Sequence, residues 1–226
     1  KPHADPGSGM APPKLAQMLL NLSLVPAGGT VVDPFCGVGT IPMEAALMGL
    51  RVVASDRAPT KVEQTKENLA WLFQEKAMAE PRTSAPRTFI HDVTRGAYPL
   101  GRGSVDAIVT EGWLGPARTA PPLARESEEV FSDVQKLLQN LLHSAEEVLR
   151  PDGRVLVAMP AFRLKKRLLL FPLEGVRLGR RWTRESLVPT AWASHAIFRG
   201  ASRGTLLYGR PDALVLREIA RFRRRS

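Results

Sequence analysis

Several features that would assign this chain to a familiar class are scarce or missing. Cysteine occurs once, as Cys36, which excludes an internal disulfide and is typical of a reducing compartment, so we expect a cytoplasmic protein. No apolar run approaches the roughly 18 residues of a membrane-spanning helix, and no signal peptide is visible. Without such a run we expect no membrane partner. The four histidines (His3, His91, His143 and His195) lack the spacing of metal ligands, so we also expect no metal site.

Acidic residues are scarce in the last third of the chain. Residues 160–226 hold four Asp and Glu against 16 Lys and Arg, a net charge of +12, whereas the whole chain carries +10. A basic segment beside a nearly neutral body favours a polyanionic partner, above all nucleic acid. The alternative is a solvated basic surface without a partner.

Strand and helix patterns alternate along most of the 226 residues, which is enough chain for one large domain. Strands are predicted at 30–33, 51–56, 88–92, 105–110 and 154–160. Residues 205–210 and 213–222 are predicted to pair as a late hairpin. The alternation favours an α/β fold: a Rossmann-like, doubly wound, mainly parallel sheet with a C-terminal antiparallel hairpin. We expect a single domain over 1–226, with an irregular arm over 1–11.

Glycines and carboxylates gather where the predicted strands end. Ligands of such sheets bind beyond the carboxyl ends of the strands. The first strand ends in DPFCGVGT, where Gly37 and Gly39 allow a tight turn and close approach of a ligand. Asp56 follows Asp33 by a little over 20 residues, a spacing that suits the hydroxyls of a ribose. Asp92 ends the third strand and could hold an adenine amino group, so the pattern predicts an adenosine site.

Two cofactors compete for this site. A dinucleotide requires a third glycine in the loop and a helix N-terminus free for pyrophosphate. Here Pro42 occupies the third glycine position, and Asp33 would repel phosphate. S-adenosyl-L-methionine has no phosphate and carries cationic groups, so it suits an acid at this position. Ordinary strand-to-helix turns without a ligand are the remaining alternative.

The segment DPFCGVGTIPMEAALMG resembles the cofactor loop of class I S-adenosylmethionine-dependent methyltransferases. More narrowly, it is similar to tRNA guanosine-N2 methyltransferases whose catalytic domain follows a THUMP RNA-binding domain. GSGMAPPKLAQMLLNLS (7–23) resembles the helix before the first strand in that family, and LLYGRPDALVLREI (206–219) resembles its closing strands. A THUMP-like domain, if the full protein has one, would precede Lys1, since the chain begins there with lysine rather than methionine.

The resemblance implies which residues bind the cofactor. The methionine end would be surrounded by residues of the first loop, the ribose would bind Asp56, and the adenine would face Asp92 and Val93. The full expected set is Asp33, Pro34, Phe35, Cys36, Gly37, Gly39, Thr40, Asp56, Arg57, Asp92 and Val93. Cys36 is interpreted as a small packed residue rather than a nucleophile, because no paired base is in view.

The fourth strand ends in Glu111-Gly112-Trp113, where the family has Asp-Pro-Pro-Tyr as its catalytic motif. A carboxylate that accepts an N–H can orient an exocyclic amine and relieve charge as the methyl group arrives. An aromatic ring can stack a base that has left its helix. We therefore expect these three residues to be catalytic. The alternatives are a core position for Trp113 and a helix cap or salt bridge for Glu111.

The resulting hypothesis is an RNA N-methyltransferase that modifies N2 of a guanosine in tRNA and binds RNA through its basic C-terminal third. Within the same chemistry, the substrate could be rRNA or adenine in DNA. A non-catalytic RNA-binding or partner-activating module is a second class, because the catalytic motif is altered. A nicotinamide-dependent oxidoreductase is a third class, which the missing glycine disfavours.

Overall fold

The computed structural model describes residues 1–4, 10–75, 85–165, 167–192 and 203–226. Outside the described residues lie Lys166, His195, Arg199 and most of the segment 77–87. The helices are α1 (Pro13–Leu22), α2 (Thr40–Leu47), α3 (Pro59–Glu75) and α4 (Ala124–Val148). The strands are β1 (Thr30–Asp33), β2 (Arg51–Asp56), β3 (Arg87–Ile90), β4 (Val105–Glu111), β5 (Leu149–Arg163), β6 (Leu168–Leu169), β7 (Trp182–Glu185), β8 (Leu206–Tyr208) and β9 (Val215–Arg224).

The described strands form one sheet in the order β3-β2-β1-β4-β5-β9-β7, with β6 paired to β5 and β8 paired to β9. The strands from β3 to β5 in this order are parallel, and β9 runs antiparallel to β5. The prediction of a doubly wound, mainly parallel sheet with a C-terminal antiparallel hairpin is confirmed. Because the parallel strands point one way, β1 to β4 all end at the same edge of the sheet.

Helices cover both faces of the sheet, as their apolar stripes require. The stripe of α1 includes Leu15 and Leu19, which pack with α2 and α3 on one face. The 25-residue helix α4 packs the side of Val134 and Leu141 against the other face. Within the described ranges, no helix combines the length and the apolar character needed to cross a membrane.

One edge strand was not predicted from the sequence. Strand β7 was missed because WTRE (182–185) lacks apolar alternation. It is a short edge strand paired to β9, and an edge strand needs less burial than a central one.

Candidate active site

A cleft of about 750 Å³ opens where β1, β2, β3 and β4 end, and α4 forms its far wall. The volume lies within the range of about 300–1,000 Å³ that is common for small-molecule sites. Most of the predicted residues line it: Asp33, Phe35, Cys36, Gly37, Thr40, Asp56, Arg57, Asp92, Val93, Glu111, Gly112 and Trp113. Pro34 and Gly39 belong to the same loop but are not among the lining residues.

Asp33, the last residue of β1, is a buried carboxyl at the base of the cleft. Its Oδ1 accepts a hydrogen bond of 2.6 Å from the Thr110 hydroxyl and one of 3.2 Å from the backbone N–H of Phe35. Burial raises the pKa of Asp33 to about 7, and the nearby acids Asp56 and Glu111 add to the increase. A cation bound in the cleft would relieve this penalty.

Asp56 builds the loop that follows β1. Its Oδ2 accepts the backbone N–H of Gly37 at 3.1 Å, and its Oδ1 accepts the N–H of Ala58 at 2.9 Å. Gly39 begins α2 with φ +82°, and a Cβ there would lie 3.0 Å from the Thr65 side chain. Asp56 is therefore structural as well as a candidate ribose ligand, and this second role was missed from sequence.

Cys36 is buried in the same loop. The Thr65 hydroxyl donates to the carbonyl of Gly37 at 2.8 Å, and its oxygen lies 3.4 Å from Sγ of Cys36. Burial strongly raises the pKa of the thiol, so the thiolate needed for nucleophilic attack is disfavoured. These contacts support the interpretation of Cys36 as a packed residue.

The wall expected to face adenine carries the Asp92 carboxylate, with the aromatic rings of His91 and Tyr98 beside it. The rings of His91 and Tyr98 meet edge-on at 4.4 Å, and the Tyr98 hydroxyl bonds to the Ser55 hydroxyl. Asp92 accepts hydrogen bonds from the backbone and hydroxyl of Thr94, which lower its pKa. Nε2 of His91 is buried without a hydrogen-bond partner among the described residues, so it can still bond to a ligand. Neither His91 nor Tyr98 was predicted as a site residue.

Glu111 and Trp113 differ sharply in their surroundings. Oε1 of Glu111 accepts a 2.7 Å hydrogen bond from Nε of Arg217, so the salt bridge considered from sequence is present. Burial raises the pKa of Glu111, and Arg217 opposes the increase. Trp113 is 44% exposed, so the alternative of a core tryptophan is wrong. Gly112 donates its N–H to the carbonyl of Ala158 at 3.0 Å, which holds the segment to β5.

Other walls come from segments that the motifs did not include. Helix α4 contributes Lys136 and Asn140 to the cleft. From the N-terminal arm, Met10 lines the cleft and Nζ of Lys1 donates to the Thr40 hydroxyl at 3.2 Å. The parts of the arm that the structure describes are therefore docked on the cofactor loop, an arrangement that composition does not reveal.

Part of the basic charge of the C-terminal third is already paired. Arg221 and Arg223 contact Glu185 at 2.9 and 3.1 Å, and Arg154 contacts the same carboxylate at 3.2 Å. These residues lie where β5 begins, because Arg223 is in register with Arg154. They are thus at the end of the sheet opposite the cleft, and only part of the segment's charge is available near the site.

The residues present fit S-adenosyl-L-methionine better than a dinucleotide. Three acids, Asp33, Asp56 and Glu111, surround the base of the cleft, which favours a cation and repels phosphate. Nε2 of His91, which has no partner in the described part of the chain, is a polar group beside Asp92 and Val93, on the side expected to face adenine. When bound, this cofactor supplies an electrophilic methyl group on a sulfonium.

Comparisons with known proteins agree with this geometry. A family model described as "UPF0020: RMKL-like, methyltransferase domain" matches residues 4–169. The tRNA (guanine(10)-N2)-dimethyltransferase of Methanothermobacter thermautotrophicus is 34% identical over 164 residues, which cover 72% of this chain and 43% of that protein. The enzyme of the same name from Methanocaldococcus jannaschii is 30% identical, over 73% of this chain and 40% of its own length.

The solved structure of TrmN from Thermus thermophilus has the same fold. It superposes with a TM-score of 0.56 over 94% of this chain and 48% of that one, at 20% identity. The chain spans less than half the length of the two curated relatives described. The family match covers more than two thirds of the chain, and the sheet order and the acidic cleft agree with it. The chain therefore belongs to the RMKL-like methyltransferase domain family, within the class I methyltransferases that use S-adenosyl-L-methionine.

Proposed function

We propose that the chain is the catalytic domain of an RNA methyltransferase that transfers a methyl group to the exocyclic N2 of a guanosine in tRNA. The observation that carries the proposal is that Glu111 and Trp113 line the same cleft as Asp33 and Asp56. An acceptor carboxylate and an exposed aromatic ring are therefore beside the acids suited to the cofactor. The names of the two curated relatives support tRNA guanosine as the substrate.

Each protein group has a definite part in this reaction. The guanine amine is a weak nucleophile because its lone pair is delocalised into the ring. The Glu111 carboxylate accepts one of its N–H groups, which orients the lone pair and takes up charge as the nitrogen–carbon bond forms. The exposed ring of Trp113 stacks the base once it has left its helix, a contact typically worth about 1–3 kcal/mol.

The cofactor would be held by the three other carboxylates. Asp33 would face the cationic amino acid end, where its buried charge gains a partner. Asp56 would accept bonds from the ribose hydroxyls, and Asp92 with Val93 would face the adenine. Arg57, Cys36 and the remaining loop residues would close the site around them.

RNA would contact the basic residues nearest the cleft rather than the paired arginines at the other end of the sheet. Lys136 and Arg57 are exposed at the cleft itself. Strand β5 continues five residues beyond Ala158, its partner opposite Glu111, and then turns through the exposed Lys165 and Arg167. A phosphate backbone that crosses this edge would meet cations beside the reacting base.

Charge reversal tests this RNA surface. Lys165→Glu and Arg167→Glu should each weaken tRNA binding and reduce its salt dependence, since fewer counterions are released. Arg184→Glu is the control, because Arg184 is exposed on β7 and pairs in register with Phe222, near the opposite end of the sheet. Equal losses for all three variants would contradict the proposed surface.

The reaction is tested with labelled S-adenosyl-L-methionine and an unmodified tRNA transcript, followed by nucleoside separation. Label in N2-methylguanosine that is lost in Glu111→Gln would support the proposal. Glu129→Gln is the matched control, because Glu129 is exposed on α4 and forms a surface pair with Arg125. Cofactor binding without transfer to tRNA would favour the non-catalytic module. Parallel reactions with rRNA and with DNA test the other substrates, and label there instead of in tRNA would redirect the assignment.

The same proposal includes the wider organisation of the protein. We expect residues 1–226 to act as one catalytic unit, and a THUMP-like RNA-binding domain, if the full protein has one, would precede it. A cytoplasmic location, expected from the lone Cys36, stays a prediction.

A further inference from the structure

Glu111 and Arg217 come from strands that are not neighbours in the sheet. Strand β5 lies between them: Ala158 is in register with Glu111, and Pro160 is in register with Arg217. Side chains of directly paired residues lie on the same face of a sheet, so both charged groups project toward the face covered by α1 and α2. The small side chain of Ala158 leaves room for the two long side chains to meet over β5.

The pair is mostly shielded from water. The Glu111 side chain is 12% exposed and the Arg217 side chain is 16% exposed, and Nε of the arginine lies 2.7 Å from Oε1. A charge-assisted bond in such surroundings is stronger than a surface pair, and an arginine remains cationic at any working pH. A glutamate has three rotatable side-chain bonds, and Gly112 follows it, so without this contact the carboxylate would sample several orientations.

Other charged groups surround the same carboxylate. Asp33 on β1 is close enough for the two acids to interact. The other charged residues that line the cleft are Asp56, Arg57, Lys61, Asp92, Asp133 and Lys136. The ionisable residues of α1 and α2 are Lys14 and Glu44, and Tyr208 on β8 is in register with Arg217. Arg217 is the group bonded directly to Glu111.

We propose that Arg217 is a positioning residue that holds the Glu111 carboxylate ionised and oriented in the cleft, ready to accept an N–H from the methyl-accepting amine. The amine acceptor rests on the proposed function, whereas control of the carboxylate by Arg217 does not. Arg217 acts from β9, so the C-terminal hairpin completes a site that is otherwise built by the parallel strands.

The test compares Arg217→Met and Arg217→Lys with a control four residues along the same strand. Arg221 is also largely buried, faces the same side and pairs with Glu185 at 2.9 Å, but it lies toward the opposite end of the sheet. Arg221→Met therefore removes a comparable ion pair without touching the cleft. Melting temperature and cofactor affinity identify any variant that fails to fold, and Arg217→Lys carries the test if Arg217→Met does not fold.

The first readout is the titration of Glu111 by carbon NMR with ¹³C-labelled glutamate, which leaves the carboxyl of Asp33 unlabelled. Glu111→Gln identifies the signal. Removing the cation should raise the pKa of Glu111 by at least about one unit in Arg217→Met and by less in Arg217→Lys. Arg221→Met should leave it unchanged. An unchanged titration in folded Arg217→Met would overturn the proposal.

The second readout is the pH profile of methyl transfer to tRNA. The acid limb of kcat in Arg217→Met should move to higher pH with the carboxyl titration, and activity should recover partly in alkaline buffer, with little change in KM. A folded Arg217→Met variant with an unchanged acid limb and wild-type kcat above it would overturn the positioning role. If the wild-type protein transfers no methyl group to tRNA while the titration still shifts, the proposed substrate fails and control of Glu111 by Arg217 stands.

Discussion

Replacing Asp33 with asparagine should stabilise the protein without its cofactor, because the buried carboxylate is costly. Burial raises the pKa of Asp33 to about 7 in the folded protein, and the ordinary value is 3.8. The folded state therefore binds the proton more tightly than the unfolded state does. Stability contributed by this group is greatest below about pH 4, falls as pH rises, and is fully lost above about pH 7.

The size of the effect follows from the shift. About three pKa units at 1.36 kcal/mol each correspond to a penalty of roughly 4 kcal/mol at pH 8. An asparagine carbonyl can still accept the bonds that Thr110 and Phe35 donate to Oδ1, so the substitution should leave few polar groups unpaired. We expect Asp33→Asn to gain about 2–4 kcal/mol at pH 8, or roughly 5–15 °C in melting temperature for a protein of this size.

Urea unfolding at pH 5, 6, 7 and 8 measures this difference directly. The advantage of Asp33→Asn should shrink to about half or less at pH 5, where the wild-type carboxyl is largely protonated when folded. Asp106→Asn is the control: Asp106 is similarly shielded, but it pairs with Arg150 at 2.8 Å, so its loss should not stabilise. A variant that is no more stable than wild type at pH 8, or an advantage independent of pH, would refute the reasoning.

Asp33→Asn should weaken cofactor binding even though it stabilises the protein. The cationic groups of S-adenosyl-L-methionine need the ionised form of Asp33, so wild-type affinity should fall by up to about tenfold per pH unit below pH 7. Asp33→Asn should bind at least tenfold more weakly at pH 8 and show a flat profile by calorimetry. A stability gain with unchanged affinity would mean that Asp33 does not contact the cofactor.

Three further results are expected. Trp113→Ala should raise KM for tRNA by about 5- to 150-fold, the equivalent of one stacked base, and leave cofactor affinity unchanged. Equal losses in tRNA binding and cofactor binding would contradict stacking. Gly39→Ala should lower the free energy of unfolding by about 1–2 kcal/mol, because φ is +82° and the new Cβ would press on Thr65. An unchanged denaturation midpoint would show that the loop relaxes freely. Cys36→Ala should keep most of the methyl-transfer activity. In the wild-type protein the Cys36 thiol should react slowly with iodoacetamide until urea exposes it, and rapid alkylation of the folded protein would argue against its burial.

The parallel half of the fold was predictable because its signals are local. Each of β1, β2 and β4 is a short apolar run bounded by turn residues, and α1 and α4 show helical periodicity. Most residues that line the cleft could be predicted for the same reason, since they follow those strands directly. The edge strand β7 escaped prediction because its pairing partner, β9, supplies the stabilisation that its own sequence lacks.

The environment of each site residue could not be predicted. The sequence of β4 alone indicates Glu111 as a candidate acid. Its partner Arg217 lies 106 residues away in the chain, and the two side chains meet only because β9 returns antiparallel beside β5. Likewise, nothing near Asp33 in sequence indicates a pKa of about 7, because burial and two acids from other strands cause it. The basic C-terminal third was read as one surface, whereas folding pairs Arg221 and Arg223 with Glu185 at the far end of the sheet.

By itself, the sequence determined the alternation of strands and helices, the glycine loop after β1 and the acids at the strand ends, because each depends on residues within one turn or one strand. Tertiary structure alone decided which charges meet, which are buried and which remain exposed at the cleft. Electrostatic energies depend on distance and on access to water, and both are set by the packing of segments that are remote in the chain.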